Sequence, residues 1–284
     1  MMKAPAEIPK EGSNKSKKDT IQAKQARSKV PKKQGWKLFC KASALLAWVA
    51  VAVIAAQLAV GYLMLWILGR ETFVQPVPTA IYSALSYILA LLWIIFATPM
   101  VISKLRNKEN PTPKIIERDE LGLRGMPTWT DIGLAPVGFI AAILLAAGLV
   151  AVFNTFPWFD AEQVQEVGFS TLLVGLDRVV AFLVLVVVAP IAEELIFRGW
   201  LYGKLRAMFS EQMSDRASMI ISIFLVSLIF GIVHMQWNVG VNVFAMSIVL
   251  CSLREITGTI YSGILTHMIK NGVAFYILYV LGIG

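Results

Sequence analysis

Long apolar runs separated by short polar segments are the main pattern along this chain. They lie at about 42–68, 80–102, 132–153, 172–192, 217–236, 239–253 and 258–283. Most approach or exceed the roughly 20 residues that an α-helix needs to cross a hydrocarbon core about 30 Å thick. The pattern therefore predicts an all-α fold, a polytopic transmembrane helix bundle of seven spans, or eight if one run is divided.

The composition agrees with a chain that is solvated by lipid. Hydrophobic residues make up 57% and charged residues 15% of the 284 residues, and the mean hydropathy is +0.68. This is more apolar surface than a soluble domain of the same length can bury. We therefore expect an integral membrane protein.

The net charge of +8 comes from the amino-terminal segment. Residues 1–41 contain twelve Lys or Arg and three acidic residues, so 12 − 3 = +9 lies here and about −1 in the remainder. Residues 1–36 have too few apolar side chains to form a core, and we expect a disordered basic tail. Such charge favours a cytoplasmic amino terminus and attraction to anionic lipids, and we do not expect nucleic-acid binding.

The loop charges predict the same orientation. The segment 103–130 carries six basic residues, whereas 154–170 carries only three acidic residues among its charges. By the positive-inside rule the first of these segments faces the cytoplasm and the second faces outside. The first apolar run is longer than the hydrophobic region of a signal peptide, so we expect it to be retained as a span.

Ionisable residues inside the apolar runs mark the candidate chemistry. Glu193 and Glu194 follow Pro190 where the fourth run ends, and Arg198 follows four residues after Glu194. A charged side chain at the bilayer centre costs about 2.5–3.5 kcal/mol on insertion scales, so such residues usually face protein or a water-filled cavity. Glu194 and Arg198 share a helix face and can pair, while Glu193 points about 100° away. An interfacial ion pair that ends a span is the structural alternative.

The chain has two histidines, His234 and His267, and both lie in apolar runs of its second half. His234 closes the motif Phe230-x-x-x-His234, and His267 opens the motif His267-x-x-x-Asn271. Residues four apart lie on one face of a helix. A hydrogen bond between helices explains either histidine alone, but it does not account for both histidines together with the Glu pair. One difficulty is that His234 would lie about 25 Å along the fifth span, deeper than Glu193 at the end of the fourth.

Taken together, Glu193-Glu194-x-x-x-Arg198, Phe230-x-x-x-His234 and His267-x-x-x-Asn271 resemble the three signature motifs of the CAAX prenyl protease type II (CPBP, ABI-type) family of intramembrane peptidases. The match includes every signature position over about 80 residues. The resemblance implies a membrane-embedded catalytic core at 120–284. It would follow the tail at 1–36 and a segment at 37–119 with two spans and a basic loop.

The resemblance also implies roles for these residues. Glu193 and His234 would hold and deprotonate the attacking water, and His267 and Asn271 would stabilise the oxyanion. Glu194 and Arg198 would be a supporting pair that orients the motif helix. Peptide hydrolysis needs a base, oxyanion donors and a proton for the leaving amine, and these residue types can supply all three.

A metal is the alternative chemistry. Glu193, His234 and His267 could offer the two-histidine, one-glutamate set of a catalytic zinc site. The sequence lacks His-Glu-x-x-His, in which one helical turn supplies both histidines, and we favour glutamate catalysis without a cofactor.

The implied function is an endopeptidase that cleaves near the carboxyl terminus of a lipid-anchored or membrane-inserted protein or peptide. In a prokaryote it would lie in the plasma membrane. A non-proteolytic binding or immunity protein on the same fold is one alternative, and a transporter is another. The intact motifs disfavour the first, and the lack of a recognisable internal repeat disfavours the second.

Overall fold

The computed structural model describes residues 32–106, 114, 116–160 and 174–282. Every regular element in these ranges is helical, and seven helices are long and apolar enough to cross a membrane. We number them α1 (Lys32–Phe73), α2 (Pro76–Lys104), α3 (Trp129–Phe153), α4 (Gly175–Ser210), α5 (Asp215–Ile232), α6 (Trp237–Thr257) and α7 (Tyr261–Leu281). The predicted all-α polytopic bundle is confirmed, with seven spans.

The predicted disordered tail at 1–36 lies outside the described residues, except for residues 32–36, which open α1. Helix α1 thus begins well before the apolar run at 42–68. Hydropathy locates the part of a helix inside the membrane, but good helix formers such as Lys and Gln extend a helix beyond it.

The outer surface of the bundle is apolar. Trp66 is 83% exposed, Leu144 68% and Leu176 69%, and many other large hydrophobic side chains on the same outer surface are also exposed. A soluble protein could not carry this much exposed apolar surface, whereas lipid solvates it. The chain is therefore an integral membrane protein.

Helix α4 is the central helix of the bundle. Half of its most apolar 18-residue window is buried inside the protein, compared with 11% for α3. It packs against α2 and α7, while α6 packs against α5 and α3, and α1 lies on α2. Side chains on the middle of α4 can therefore meet residues from several other spans.

Helix α4 also contains two π-helical stretches, Leu183–Val188 and Leu195–Leu201, on either side of the α-helical Ala189–Glu194. In the first stretch the N–H of Ala189 donates to the carbonyl of Val184, five residues earlier. The next bond in that register would join Pro190 to the carbonyl of Leu185, but proline has no N–H to donate. The carbonyl of Leu185 therefore needs another donor.

The connection between α5 and α6 is short and tight. A Cβ atom on Gly231 would lie 2.9 Å from the carbonyl oxygen of Gly240, so only glycine allows the two helices this approach. Met235 adopts a positive φ of 55°, and the chain reverses between Ile232 and Trp237. His234 lies in this reversal, beyond the end of α5.

The expectation that Glu193 lies at the end of the fourth span is wrong, because α4 remains helical as far as Ser210. Measured from the turn between α4 and α5, Glu193 lies 17 residues from Ser210, or about 25 Å along α4. His234 lies just beyond the far end of the antiparallel α5, whose 18 residues extend about 27 Å. The two residues are therefore at similar depths, and the difficulty with His234 disappears.

Candidate active site

Glu194 is completely buried and joins α4 to α7. Its Oε1 atom accepts hydrogen bonds from Nη1 of Arg198 at 2.8 Å and from Nδ1 of His267 at 3.0 Å. The ion pair expected from the spacing of Glu194 and Arg198 is present, and both side chains are fully buried. A Cβ atom on Gly263 would lie 3.1 Å from the other carboxylate oxygen, so a larger residue there would crowd Glu194.

Glu193 points in a different direction, as expected for the next residue on a helix. Its Oε1 atom accepts a hydrogen bond from the hydroxyl of Tyr87 on α2 at 2.5 Å. Its Oε2 atom lies 3.6 Å from Nε2 of His267. Glu193 is 8% exposed, and it lines an internal cavity. Of the two adjacent carboxylates, Glu193 is thus the one that faces open space.

His267 lies between the two carboxylates, with Nδ1 facing Glu194 and Nε2 facing Glu193. If Nδ1–H donates to Glu194, Nε2 needs a proton of its own before it can donate to an oxyanion. His267 therefore has one ring nitrogen engaged by Glu194 and the other turned towards Glu193.

His234 is held by its own helix end. Its Nδ1–H donates to the carbonyl of Phe230 at 2.7 Å, which leaves Nε2 as the free nitrogen. Burial lowers the pKa of His234, so the ring stays neutral at lower pH than an ordinary histidine. A neutral ring with this tautomer presents a hydrogen-bond acceptor at Nε2.

Phe230, the aromatic residue of the second motif, packs among the polar residues of the site. Its ring centroid lies 5.0 Å from that of His234 and 6.2 Å from that of His267. The guanidinium carbon of Arg198 lies 4.2 Å from the same centroid, in a cation–π contact. Phe230 thus fixes both imidazole rings and covers the buried ion pair, which explains an aromatic residue at this position.

Asn271 donates from Nδ2 to the carbonyl of Leu185 at 2.9 Å. This is the carbonyl that Pro190 leaves without a donor in the π-helical stretch of α4. One N–H group of Asn271 therefore holds α7 to α4. Its second N–H and its carbonyl oxygen remain for the cavity, which Asn271 also lines.

A cavity of about 580 Å³ joins these residues. Its size lies within the range of about 300–1,000 Å³ usual for ligand sites. Apolar side chains from α1, α3, α6 and α7 form much of its wall, and its polar lining includes Tyr87, Glu193, His234, His267, Lys270 and Asn271. The structure therefore brings the four sequence-predicted catalytic residues to one cavity.

The zinc alternative requires Glu193, His234 and His267 to converge on one point. In the described part of the chain, no group of three His, Cys, Asp or Glu residues is arranged to hold a metal ion. Nδ1 of His267 is engaged by Glu194, so Nε2 is the nitrogen of this ring that remains for another partner.

Tyr87 and Lys270 are among the polar cavity residues that the sequence motifs did not identify. Tyr87 lies in the second apolar run, and no motif distinguishes it from a tyrosine at a lipid interface. Lys270 lies within the third motif but occupies none of its signature positions. The side chain of Lys270 lines the cavity, where His267 and Asn271 also lie.

Comparisons with known proteins indicate the family to which the chain is similar. Residues 175–273 match the model of the type II CAAX prenyl endopeptidase Rce1-like family, which covers all six sequence-predicted site residues but not Tyr87. The chain is 26% identical over 227 residues to the membrane-embedded CAAX protease MroQ of Staphylococcus aureus, covering 79% of this chain and 87% of that protein. No solved structure matches the chain.

Proposed function

We propose that this chain, which belongs to the CAAX prenyl protease type II (CPBP) family, is an endopeptidase that hydrolyses a peptide bond near the carboxyl terminus of a lipid-anchored or membrane-inserted substrate. The observation that carries the proposal is the position of Glu193. It is a cavity-facing carboxylate deep in the bundle, and the histidines His234 and His267 line the same cavity.

Glu193 is the general base in this proposal, and Glu194 is not. Glu194 accepts its hydrogen bonds from two protein groups, Arg198 and His267, and its side chain is fully buried. Glu193 has an oxygen directed at the cavity, and Nε2 of neutral His234 can accept the second hydrogen of the same water. A water held between them loses one proton to Glu193 as its oxygen attacks the peptide carbonyl.

His267 and Asn271 are the proposed oxyanion donors. The Nε2–H of His267 and the second amide N–H of Asn271 would stabilise the negative oxygen of the tetrahedral intermediate. Glu193 then passes its proton to the leaving nitrogen, and the C–N bond breaks. Loss of one oxyanion donor typically lowers kcat by about 100- to 1,000-fold.

Glu194 and Arg198 support the reaction without touching the substrate. Their buried pair fixes Nδ1 of His267 and so aims its Nε2 at the cavity. Removing one partner of a buried pair leaves an uncompensated charge, which is strongly destabilising at about 3–5 kcal/mol. Substitutions at these two positions are therefore expected to damage folding as well as activity.

The proposal also includes the orientation of the protein in the membrane. We place the amino terminus and the basic loop between α2 and α3 in the cytoplasm, with the plasma membrane of a prokaryote as the location. The basic tail would attract anionic lipids. The reaction itself uses no metal.

The proposal is tested by comparing peptides in membranes from cells that express wild type, Glu193→Gln or Glu71→Gln. Glu71 is an exposed residue at the end of α1 and serves as a matched control. Wild type and Glu71→Gln should release the same short carboxyl-terminal peptides, and Glu193→Gln should release none of them. Identical peptide profiles for all three proteins would overturn the proposal.

A further inference from the structure

Lys270 is a cation in the proposed catalytic cavity that the reaction does not use. It lies nine residues after Tyr261, so it is about 14 Å along α7. Its side chain lines the cavity together with Glu193 and Asn271. A lysine at this depth in a membrane helix is costly and normally has a partner.

The described part of the chain supplies no such partner. Lys270 forms neither a hydrogen bond nor an ion pair with a described residue. Glu193 is itself engaged by Tyr87 and faces His267. Arg198, by contrast, has a carboxylate at 2.8 Å. The Lys270 ammonium therefore faces open cavity and has room for an anion.

We propose that Lys270 binds the α-carboxylate at the carboxyl terminus of the substrate, and that this contact selects substrates with a free carboxyl terminus. The inference rests on the proposed function and names the group that the site recognises. An apolar membrane segment carries few acidic side chains, but every chain that ends in the cavity carries an α-carboxylate. Since Lys270 and Glu193 line one cavity, the scissile bond lies a few residues from that terminus.

The binding experiment uses a fluorescent peptide library with four apolar carboxyl-terminal positions, made in two forms. One form ends in a free carboxylate and the other in a carboxamide. Purified wild-type protein should bind the carboxylate form about tenfold or more tightly, because a desolvated charge pair is lost with the amide. Equal affinity of wild type for both forms would overturn the proposal, and this comparison requires no variant.

Variants of Lys270 test whether this residue causes the preference for the carboxylate form. Lys270→Met should bind both forms equally, Lys270→Arg should keep a preference for the carboxylate, and Lys41→Met on the exposed start of α1 should behave as wild type. Lys270→Met should also melt at the same or a higher temperature than wild type, since it removes an uncompensated buried charge. A preference retained by Lys270→Met would assign carboxylate recognition to another residue.

Two further probes separate other sources of the anion. A carboxamide peptide with one internal Asp that binds as tightly as the free carboxylate would show an acidic side-chain site instead. A thermal shift of wild type, but not of Lys270→Met, in phosphatidylglycerol relative to phosphatidylcholine nanodiscs would show a headgroup site. Either result overturns the proposal for the α-carboxylate.

Cleavage of the same library distinguishes this inference from the proposed function. If wild type cleaves both forms equally well, the proposed role of Lys270 is contradicted and the proposed peptidase activity is supported. If wild type binds the carboxylate form selectively but releases no product, the peptidase activity is contradicted and the carboxylate-binding site is supported.

Discussion

The hydroxyl of Tyr87 donates a hydrogen bond to Glu193, the proposed general base. Tyr87 lies on α2, outside residues 175–273 that match the family model. A hydrogen bond to a charged group contributes about 1.5–3 kcal/mol, and this one orients Glu193 rather than contacting the substrate. The hydroxyl therefore makes Tyr87 a positioning residue.

Tyr87→Phe should lower kcat about tenfold or more with little change in KM, because it removes orientation of the base and leaves the cavity wall in place. Steady-state kinetics with a cleaved peptide measure both constants. Tyr82→Phe, which removes a hydroxyl from the same helix, is the control and should retain wild-type kcat. A rise in KM with unchanged kcat would contradict the positioning role.

The two histidines can be observed individually, because the chain has no others. In ¹⁵N-histidine NMR spectra, His267→Gln leaves the ring of His234 as the only signal. Burial lowers the pKa of His234, so the ring should become protonated only below the ordinary value of about 6.5 and carry its neutral proton on Nδ1. A midpoint above this value would remove His234 as the neutral acceptor for water.

At the scale of the elements, the interrupted helix α4 determines how the site is assembled. The π-helical stretch before Pro190 leaves the carbonyl of Leu185 for Asn271, and this bond fixes α7 against α4. The third motif thus contributes to helix docking as well as to chemistry.

A double-mutant cycle tests this docking role. Asn271→Ala should lower the free energy of unfolding by about 1–2 kcal/mol, because it leaves a buried carbonyl without a donor. In a Pro190→Ala background the new N–H can bond to Leu185, so the same substitution should cost clearly less. Equal costs in both backgrounds, measured by thermal denaturation in detergent, would show that the two residues are not coupled.

The sequence predicted the helical elements and the motif residues, but not the connections between them. The apolar runs located all seven spans, yet the fourth run ended at 192 because Glu193, Glu194 and Arg198 interrupt it. These charged side chains are buried against other helices, so the helix continues where hydropathy stops. A hydropathy pattern cannot distinguish a charge that satisfies a buried partner from one that ends a span.

Sequence motifs also cannot reveal contacts made by unrelated segments. Tyr87 lies 106 positions before Glu193 and reaches it only because α2 packs against α4. Lys270 occupies no signature position of the third motif. A long lysine side chain and a cavity shared by several helices place it at the site.

At the scale of the whole molecule, the proposed hydrolysis inside a membrane bundle requires no metal. Purified active protein should contain less than stoichiometric zinc by elemental analysis, and its activity should persist after treatment with 1,10-phenanthroline. Loss of activity on chelation, restored by added zinc, would contradict glutamate catalysis and require the donor set of Glu193, His234 and His267 to rearrange.

The most direct test of hydrolysis by Glu193 is incubation of purified protein with the carboxyl-terminal peptide library in H₂¹⁸O. Wild type should produce new carboxyl termini that carry one ¹⁸O atom, because the attacking oxygen comes from water. Glu193→Gln should fold with similar thermal stability and form these termini at least 1,000-fold more slowly, within the usual range for a lost general base of about 100- to 10,000-fold. Equal ¹⁸O incorporation by the two proteins would contradict the account.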